Sequence, residues 1–222
     1  MIDTVHVIGS GRVGSAIDAR LRERGVAVRA DGAELVLLCV PDDAIAEVAA
    51  SIEPGPWVAH VSGARPLVAL GRHERRFSLH PLQTFTRSRG PDQLDGAWAA
   101  ITAETADGHA VAVWLAETLG LRTFDLDDSA RTLYHAGAVF ASNYIVTLQR
   151  AATLLFEAVG APPAALEPLM LRTIENDFEL TGPISRGDWG IVSAHLAELH
   201  ERLPQLEHLY ETLAGATLAL AT

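Results

Sequence analysis

The stretch VHVIGSGRVGSA, Val5 to Ala16, sets a nearly continuous apolar run directly against a glycine-rich turn. Val5 to Gly9 has the character of a strand buried on both faces of a parallel sheet. A helix is expected from about Arg12 to Arg24. Between them stands Gly9-x-Gly11-x-x-Gly14, and strand, turn and helix together give the pattern its meaning. Gly9 permits the tight turn, Gly11 lets a pyrophosphate approach the backbone, and Gly14 lets helix and strand pack closely. The helix N-terminus adds N–H donors and partial positive charge for phosphates. The turn Gly9, Ser10, Gly11, Arg12, Val13, Gly14 is therefore a candidate dinucleotide cradle; the alternative is a glycine turn that binds nothing.

The rest of the first half repeats the alternation. ELVLLCV (Glu34 to Val40) is a second apolar strand ended by Pro41, with Asp42 or Asp43 placed to cap a helix running to about Ser51. WVAHV, RRFSLH, WAAIT and LRTFDL are further strand candidates, with a helix at about Asp107 to Leu119. Strands alternating with helices imply an α/β layered domain. One region departs from the pattern. Only Asp31, Gly32 and Ala33 separate a possible strand Val26–Ala30 from the next one, whereas a parallel crossover needs about a dozen residues. Either a strand–helix unit is missing or VAVRA is an irregular edge segment. In both cases the part of the site that grips adenosine is abbreviated. Arg29 for a 2′-phosphate and Asp31 for a ribose hydroxyl stand beside the alternative that both are simply solvated.

From Asp127 onward no strand pattern appears, only helices broken by Pro162-Pro163, TGP (Thr181 to Pro183) and Pro204. The first is expected over about Asp128 to Val159, on the order of 45 Å long, a spine between two domains. The expected organisation is an N-terminal Rossmann-like α/β domain with an abbreviated parallel sheet over residues 1–126, then an all-α domain over 127–222.

Composition narrows the chemistry. The 222 residues carry a formal charge of −11 and no basic cluster long enough to track a phosphate backbone, which argues against nucleic acid. No apolar run reaches membrane-spanning length and no signal-like leader opens the chain, so a cytoplasmic protein without a membrane partner is expected. The single cysteine, Cys39, lies inside the second strand as a packing residue. All 17 basic residues are arginine, so no Schiff-base or proton-shuttling lysine exists. Nine histidines form no H-E-x-x-H or comparable cluster, and no metal site is expected.

Six stretches together carry a family resemblance: VIGSGRVGSA, LLCVPDDAIAEVA, HVSGA, SLHPLQTF, LYHAGAVFASNY and LTGPISRGD, in this order over nearly the whole chain. The chain resembles Rossmann-like proteins that carry a C-terminal helical domain of unknown function 2520. That family is similar in architecture to pyrroline-5-carboxylate reductase, ketopantoate reductase and the β-hydroxyacid dehydrogenases. The resemblance implies NADP or NAD as cofactor, reduction of a small carbonyl or imine substrate, and a homodimer formed through the C-terminal helices. The β-hydroxyacid dehydrogenases use a helix lysine with an asparagine one turn later; here Val139 stands one turn before Asn143.

In open α/β sheets ligands bind outside the carboxyl ends of the strands. The loops expected there are Val40-Pro41 to Ala44, His60 to Ala64 with Ser62, and Leu79 to Phe85 with His80, Gln83 and Thr84. The spine helix would cross the same cleft. At about 100° per residue, Ser142 falls within about 20° of His135, Arg131 and Val139 at about 40°, and Asn143 about 80° away. Hydride transfer to a carbonyl needs a proton donor; without lysine, histidine with a reference pKa of about 6.5 is the natural group. His135 is the first candidate acid/base and His80 the second, with Asn143 assisting. Ser62, with Val40 and Pro41, belongs to the cofactor side, and Ser142, Gln83 and Thr84 to the substrate side. Arg186 offers a planar fork for a substrate carboxylate, with Asp188 orienting it or capping a helix. Against these stand a packed core histidine at 135, a loop-shaping His80, a turn serine at 62 and a surface ion pair at 186. The expectation is an NAD(P)-dependent reductase of a small keto or imino acid, ketopantoate-reductase-like by analogy. The alternative is a dimeric binding or regulatory protein that kept the fold without turnover.

Overall fold

A computed structural model describes residues 2–220. The chain divides into two compact units, Met1–Ser142 and Asn143–Thr222. The first unit therefore includes the initial turns of the expected spine helix.

Seven strands form one sheet: β1 (Thr4–Ile8), β2 (Ala27–Val28), β3 (Leu35–Leu38), β4 (Trp57–His60), β5 (Arg76–Leu82), β6 (Trp98–Ala103) and β7 (Arg122–Asp125). Their order is β2-β1-β3-β4-β5-β6-β7. All neighbours run parallel except β5 and β6, which are antiparallel, so the sheet is mixed rather than wholly parallel. Its helices are α1 (Arg12–Glu23), α2 (Ile45–Ser51) and α3 (Ala106–Leu119).

Every residue of β3 and β4 is buried, as strands covered on both faces must be. Alternation along β3 shows the two layers. Leu35 and Leu37 join the core under α1 and α3, while Val36 and Leu38 join the smaller core under α2. Cys39 packs against the first core, and burial pushes its thiol up to about 12. The α2 helix begins at Ile45 with Ala44 at its cap, and neither Asp42 nor Asp43 caps it. The turn Pro41–Ala44 closes on backbone alone, the Ala44 N–H donating to the Pro41 carbonyl.

The ambiguous segment after Val26 is an edge strand. β2 pairs with β1 only at Thr4↔Ala27 and Val5↔Val28. The chain then turns through Gly32 (φ +67) and enters β3, with Leu35 level with Val5 on the other side of β1. A strand this short ends at the height where β3 begins, so no helix is needed to carry the chain back.

After β7 comes a 3-10 turn at Asp128–Ala130, then α4 (Arg131–Val139), a π-helical turn at Phe140–Tyr144 and α5 (Ile145–Ala158). The expected uninterrupted helix is thus broken by a wide turn. A π turn adds a residue and sets back the phase of the next helix by up to about 100°. The angular estimate that aligned Ser142 with His135 does not hold across it.

In the second unit α6 (Leu166–Glu175), α7 (Trp189–Arg202) and α8 (Glu207–Leu220) come after α5. The breaks fall at the expected prolines. Pro163 and Pro204 each open a 3-10 turn, and the α6–α7 link carries left-handed Asp177 and Phe178. No strand lies beyond Asp125 among the described residues.

Candidate functional site

The glycine turn has the features its spacing demands. Gly9 has φ +112, and a Cβ on it would stand 2.4 Å from the Cys39 carbonyl oxygen. A Cβ on Gly14 would lie 2.0 Å from the Gly9 carbonyl oxygen, so α1 and β1 meet at a distance only glycine allows. Gly11 is different: nothing lies within 4 Å of where its Cβ would be. It is the N-cap of α1, and no side chain caps the helix. The first N–H groups of a twelve-residue helix thus face an open approach, the setting in which backbone amides bind phosphate. Val40 and Pro41 come directly after β3, beside this turn. An open groove of about 480 Å³ flanks it, lined by Val7, Gly9, Ser10, Gly14, Ser15 and Asp18.

Along the same edge of the sheet, the ends of β4 and β5 meet α4. His80 and His135 lie with ring centroids 6.2 Å apart at 74°, and both rings close on Gly63. A Cβ there would stand 2.8 Å from His80 Cε1 and Nε2 and 2.9 Å from His135 Cδ2. His80 Nδ1 lies 2.7 Å from the Tyr134 hydroxyl, with the two rings edge to face. Burial first, then the charges of His135 and Arg131, press the His80 pKa down to about 4, against the pull of Asp42. Burial raises the Tyr134 phenol to about 12. Near neutral pH His80 is therefore uncharged and Tyr134 protonated. His135 is half-buried beside them.

Beneath this pair lies a charge the sequence did not single out as buried. Arg131, 1% exposed, donates from Nε to Asp128 Oδ1 at 2.8 Å, from Nη1 to the Ser62 carbonyl at 2.9 Å, and from Nη2 to the Ser78 hydroxyl. Asp128 in turn accepts the Leu67 N–H on both oxygens, at 3.1 and 3.0 Å. One guanidinium thus ties α4 to the β4 loop and to β5. Burial lowers the Arg131 pKa while Asp128 holds it up. His60, fully buried, accepts from the Ser62 N–H at Nδ1 (3.3 Å). Burial, then Arg131, pushes its pKa down to about 3, with the Pro66 carbonyl opposing.

The expected site residues divide accordingly. Gly9 to Gly14, Val40, Pro41, Ser62, His80 and His135 all lie in the first unit, at the carboxyl ends of β1, β3, β4 and β5 or against them. The Ser62 hydroxyl accepts the Ala64 and Arg65 N–H groups at 3.2 and 3.0 Å and so forms the turn. Gln83 spends its amide inside its loop, donating to the Gln93 carbonyl at 3.0 Å and accepting the Thr84 N–H at 2.8 Å. Ser142 bonds back to the Ala138 carbonyl at 2.6 Å. Asn143 is exposed on the π turn, its carbonyl accepting from Thr147 at 3.3 Å. In the second unit Arg186 bonds Asp188 through Nε (3.0 Å) and the Thr181 carbonyl through Nη1 (2.5 Å). Asp188 takes the N-cap position of α7 without a side-chain cap bond; its carboxylate holds Arg186 instead. Sequence reasoning passed over Tyr134, Asp128, His60 and Gly63. The Asp128-x-x-Arg131-x-x-x-His135 spacing, one helical face, was the available signal.

The family model for a domain of unknown function, DUF2520, matches residues 97–217, more than half of the chain. The chain belongs to the DUF2520 family. No curated protein matches this DUF2520 chain. Among crystal structures it is similar to a Bacteroides fragilis protein provisionally described as an NADP oxidoreductase, at 24% identity, 98% coverage of both chains and a TM-score of 0.83. It is also similar to 1-pyrroline-5-carboxylate reductase of Streptococcus pyogenes (17% identity, 98% of this chain and 97% of that one, TM-score 0.62). Pyrroline carboxylate reductase of Plasmodium falciparum, with NADP bound, shares 10% identity over 99% and 97% of the two chains, with a TM-score of 0.58. These likenesses establish the Rossmann-like fold.

Proposed function

We propose that this DUF2520 protein is an NAD(P)-dependent oxidoreductase acting on a small keto or imino acid, ketopantoate-reductase-like reduction being one form by analogy. The observation that carries it is the cradle: two glycines where a Cβ would strike backbone, a third left open, and an uncapped helix N-terminus above them. The described relatives that bind or act with NADP share the fold that presents this cradle. Gly9, Gly11 and Gly14 with the Ser10, Arg12 and Val13 backbone would hold the phosphates, and Val40, Pro41 and the Ser62 loop would border the nicotinamide. When bound, the reduced cofactor supplies a hydride.

The chain's own groups supply the proton and its placement. His135 is the donor to the oxygen or nitrogen on which negative charge develops. We assign the Tyr134 hydroxyl as donor to His80 Nδ1, which leaves the His80 proton on Nε2, facing Gly63 and the His135 ring. The neutral His80 ring packs edge-on against His135 and limits where its ring can sit. Gln83, Thr84 and Ser142, in the same unit as His135, border the substrate. Exposed Leu154, Val159, Leu169, Ile174 and Phe178 in the second unit support a homodimer through the helices. No helix among the described residues is long and apolar enough to cross a membrane.

Titration with NADH and NADPH by calorimetry or fluorescence tests this reading. Saturable binding is expected. No binding of either at millimolar concentration would leave a non-catalytic binding protein as the function. With binding established, His135→Ala should lower kcat for a reducible keto acid by about 10²–10⁴-fold with cofactor affinity retained. Unchanged turnover removes His135 from the reaction.

A further inference from the structure

The adenosine end of the groove is where this chain departs from an ordinary dinucleotide site. In such a site the second strand climbs to the level of the glycine turn and ends in the side chain that takes the adenosine ribose. Here β2 stops at Val28, level with Val5. The Arg29 N–H makes a last bond to the Val5 carbonyl at 3.1 Å, and the chain then turns away, Ala33 N–H to the Ala30 carbonyl. Four residue steps lead from Val5 to Gly9, roughly 13 Å of strand rise. The two side chains at the expected sequence distance, Arg29 and Asp31, are exposed and do not line the groove beside the turn.

What lines that groove instead is the bare edge of β1 and the side of α1. Alternate residues of β1 face β2. Asp3 and Val5 accept from Ala27 and Arg29, so the next to face that edge is Val7, which the stub of β2 does not reach. Among the described residues, the only ionisable side chain on the groove wall is Asp18, and it is already held by Arg22 Nε at 2.8 Å and Nη2 at 3.3 Å. Arg22 itself reaches back to the Val28 carbonyl at 3.0 Å. The groove therefore has a phosphate cradle at one end and neither a strand terminus nor an uncommitted charge at the other.

We infer that this chain recognises the nicotinamide mononucleotide half of its cofactor and draws almost no affinity from the adenosine half. The inference rests on the nicotinamide reading of the site given above. The phosphate attached to the nicotinamide ribose takes the α1 amides, while adenosine extends past Asp18 into solvent. A 2′-phosphate on that adenosine meets no arginine on the groove wall among the described residues, so NADPH gains little over NADH.

The test is a set of binding titrations on the full chain with reduced nicotinamide mononucleotide, NADH and NADPH, followed by competition with 5′-AMP. The three reduced ligands should bind within about fivefold of one another, a difference of about 1 kcal/mol, and 5′-AMP should not displace them. NADH or NADPH binding more than about fivefold tighter than the mononucleotide overturns the inference and leaves the oxidoreductase reading standing. Binding of none of the three overturns both. Asp18→Asn adds a second check: equal effects on NADH and the mononucleotide support the inference. A loss confined to NADH would show that Asp18 grips the adenosine ribose, which contradicts it.

Discussion

Lowering the pH from 7 to 5 should destabilise this protein through two imidazoles, His60 and His80. Both are held neutral in the fold, with pKa values pressed to about 3 and about 4 by burial and by Arg131, while an unfolded histidine titrates near 6.5. Below 6.5 the unfolded chain takes up protons that the folded chain refuses. Stability therefore falls as the pH falls, and continues to fall until the folded values are reached. Between pH 7 and pH 5 the loss is about 2 kcal/mol for each ring, about 4 kcal/mol together, a large share of a typical domain's 5–15 kcal/mol. The depressed carboxylates, Glu34, Asp95, Glu104 and Asp127, start from ordinary values of 4.5 or 3.8 and lose their contribution chiefly below this window. Urea unfolding monitored by tryptophan fluorescence at pH 7, 6 and 5 measures the slope. His60→Gln should remove about half of it, and His60→Gln with His80→Asn nearly all. A wild-type protein equally stable at pH 7 and pH 5, or a slope untouched by His60→Gln, would refute the placement of these rings.

Two further substitutions probe the same region. Gly63→Ala puts a methyl 2.8–2.9 Å from both imidazoles, where carbon contacts settle at about 3.5–4.0 Å, so the rings must retreat by about 0.7–1 Å. Turnover should fall about 100-fold with cofactor affinity nearly unchanged, as for other misplacements of this size; kinetics and calorimetry on the same preparation decide it. Arg131→Met leaves Asp128, Ser78 and the Ser62 carbonyl without their shared donor, and chemical denaturation should show a loss of about 3–5 kcal/mol.

The legible features were those that only one residue type satisfies. Gly9 needs a positive φ and Gly14 a missing Cβ, so glycine at both positions announced the turn, and the apolar run before it announced a strand covered on both faces. The prolines marked the breaks between the later helices for a similar reason, since the ring excludes a helix interior. The shortness of the link at Asp31–Ala33 excluded a crossover helix but left two outcomes, which the pairing of Ala27 and Val28 with β1 resolves. The π turn at Phe140–Tyr144 has no local code: no proline or glycine stands in it, and FASNY is compatible with an ordinary helix. Nor was the Arg131 network visible, because it joins residues 53 and 69 positions apart, and burial of an arginine depends on those distant partners. Asp42 and Asp43 looked like caps and are not, because the helix starts at Ile45 behind a backbone turn.

The most direct measurement is a two-dimensional NMR titration of the labelled protein with NADH, tracking the backbone amides of Ser10 to Gly14 and the ring resonances of His80 and His135. In the proposed function the cradle and the imidazole pair face a common ligand, so both groups of signals should shift along one saturable curve. Millimolar NADH that leaves both groups in place, or moves the amides while the rings stay still, would contradict that claim.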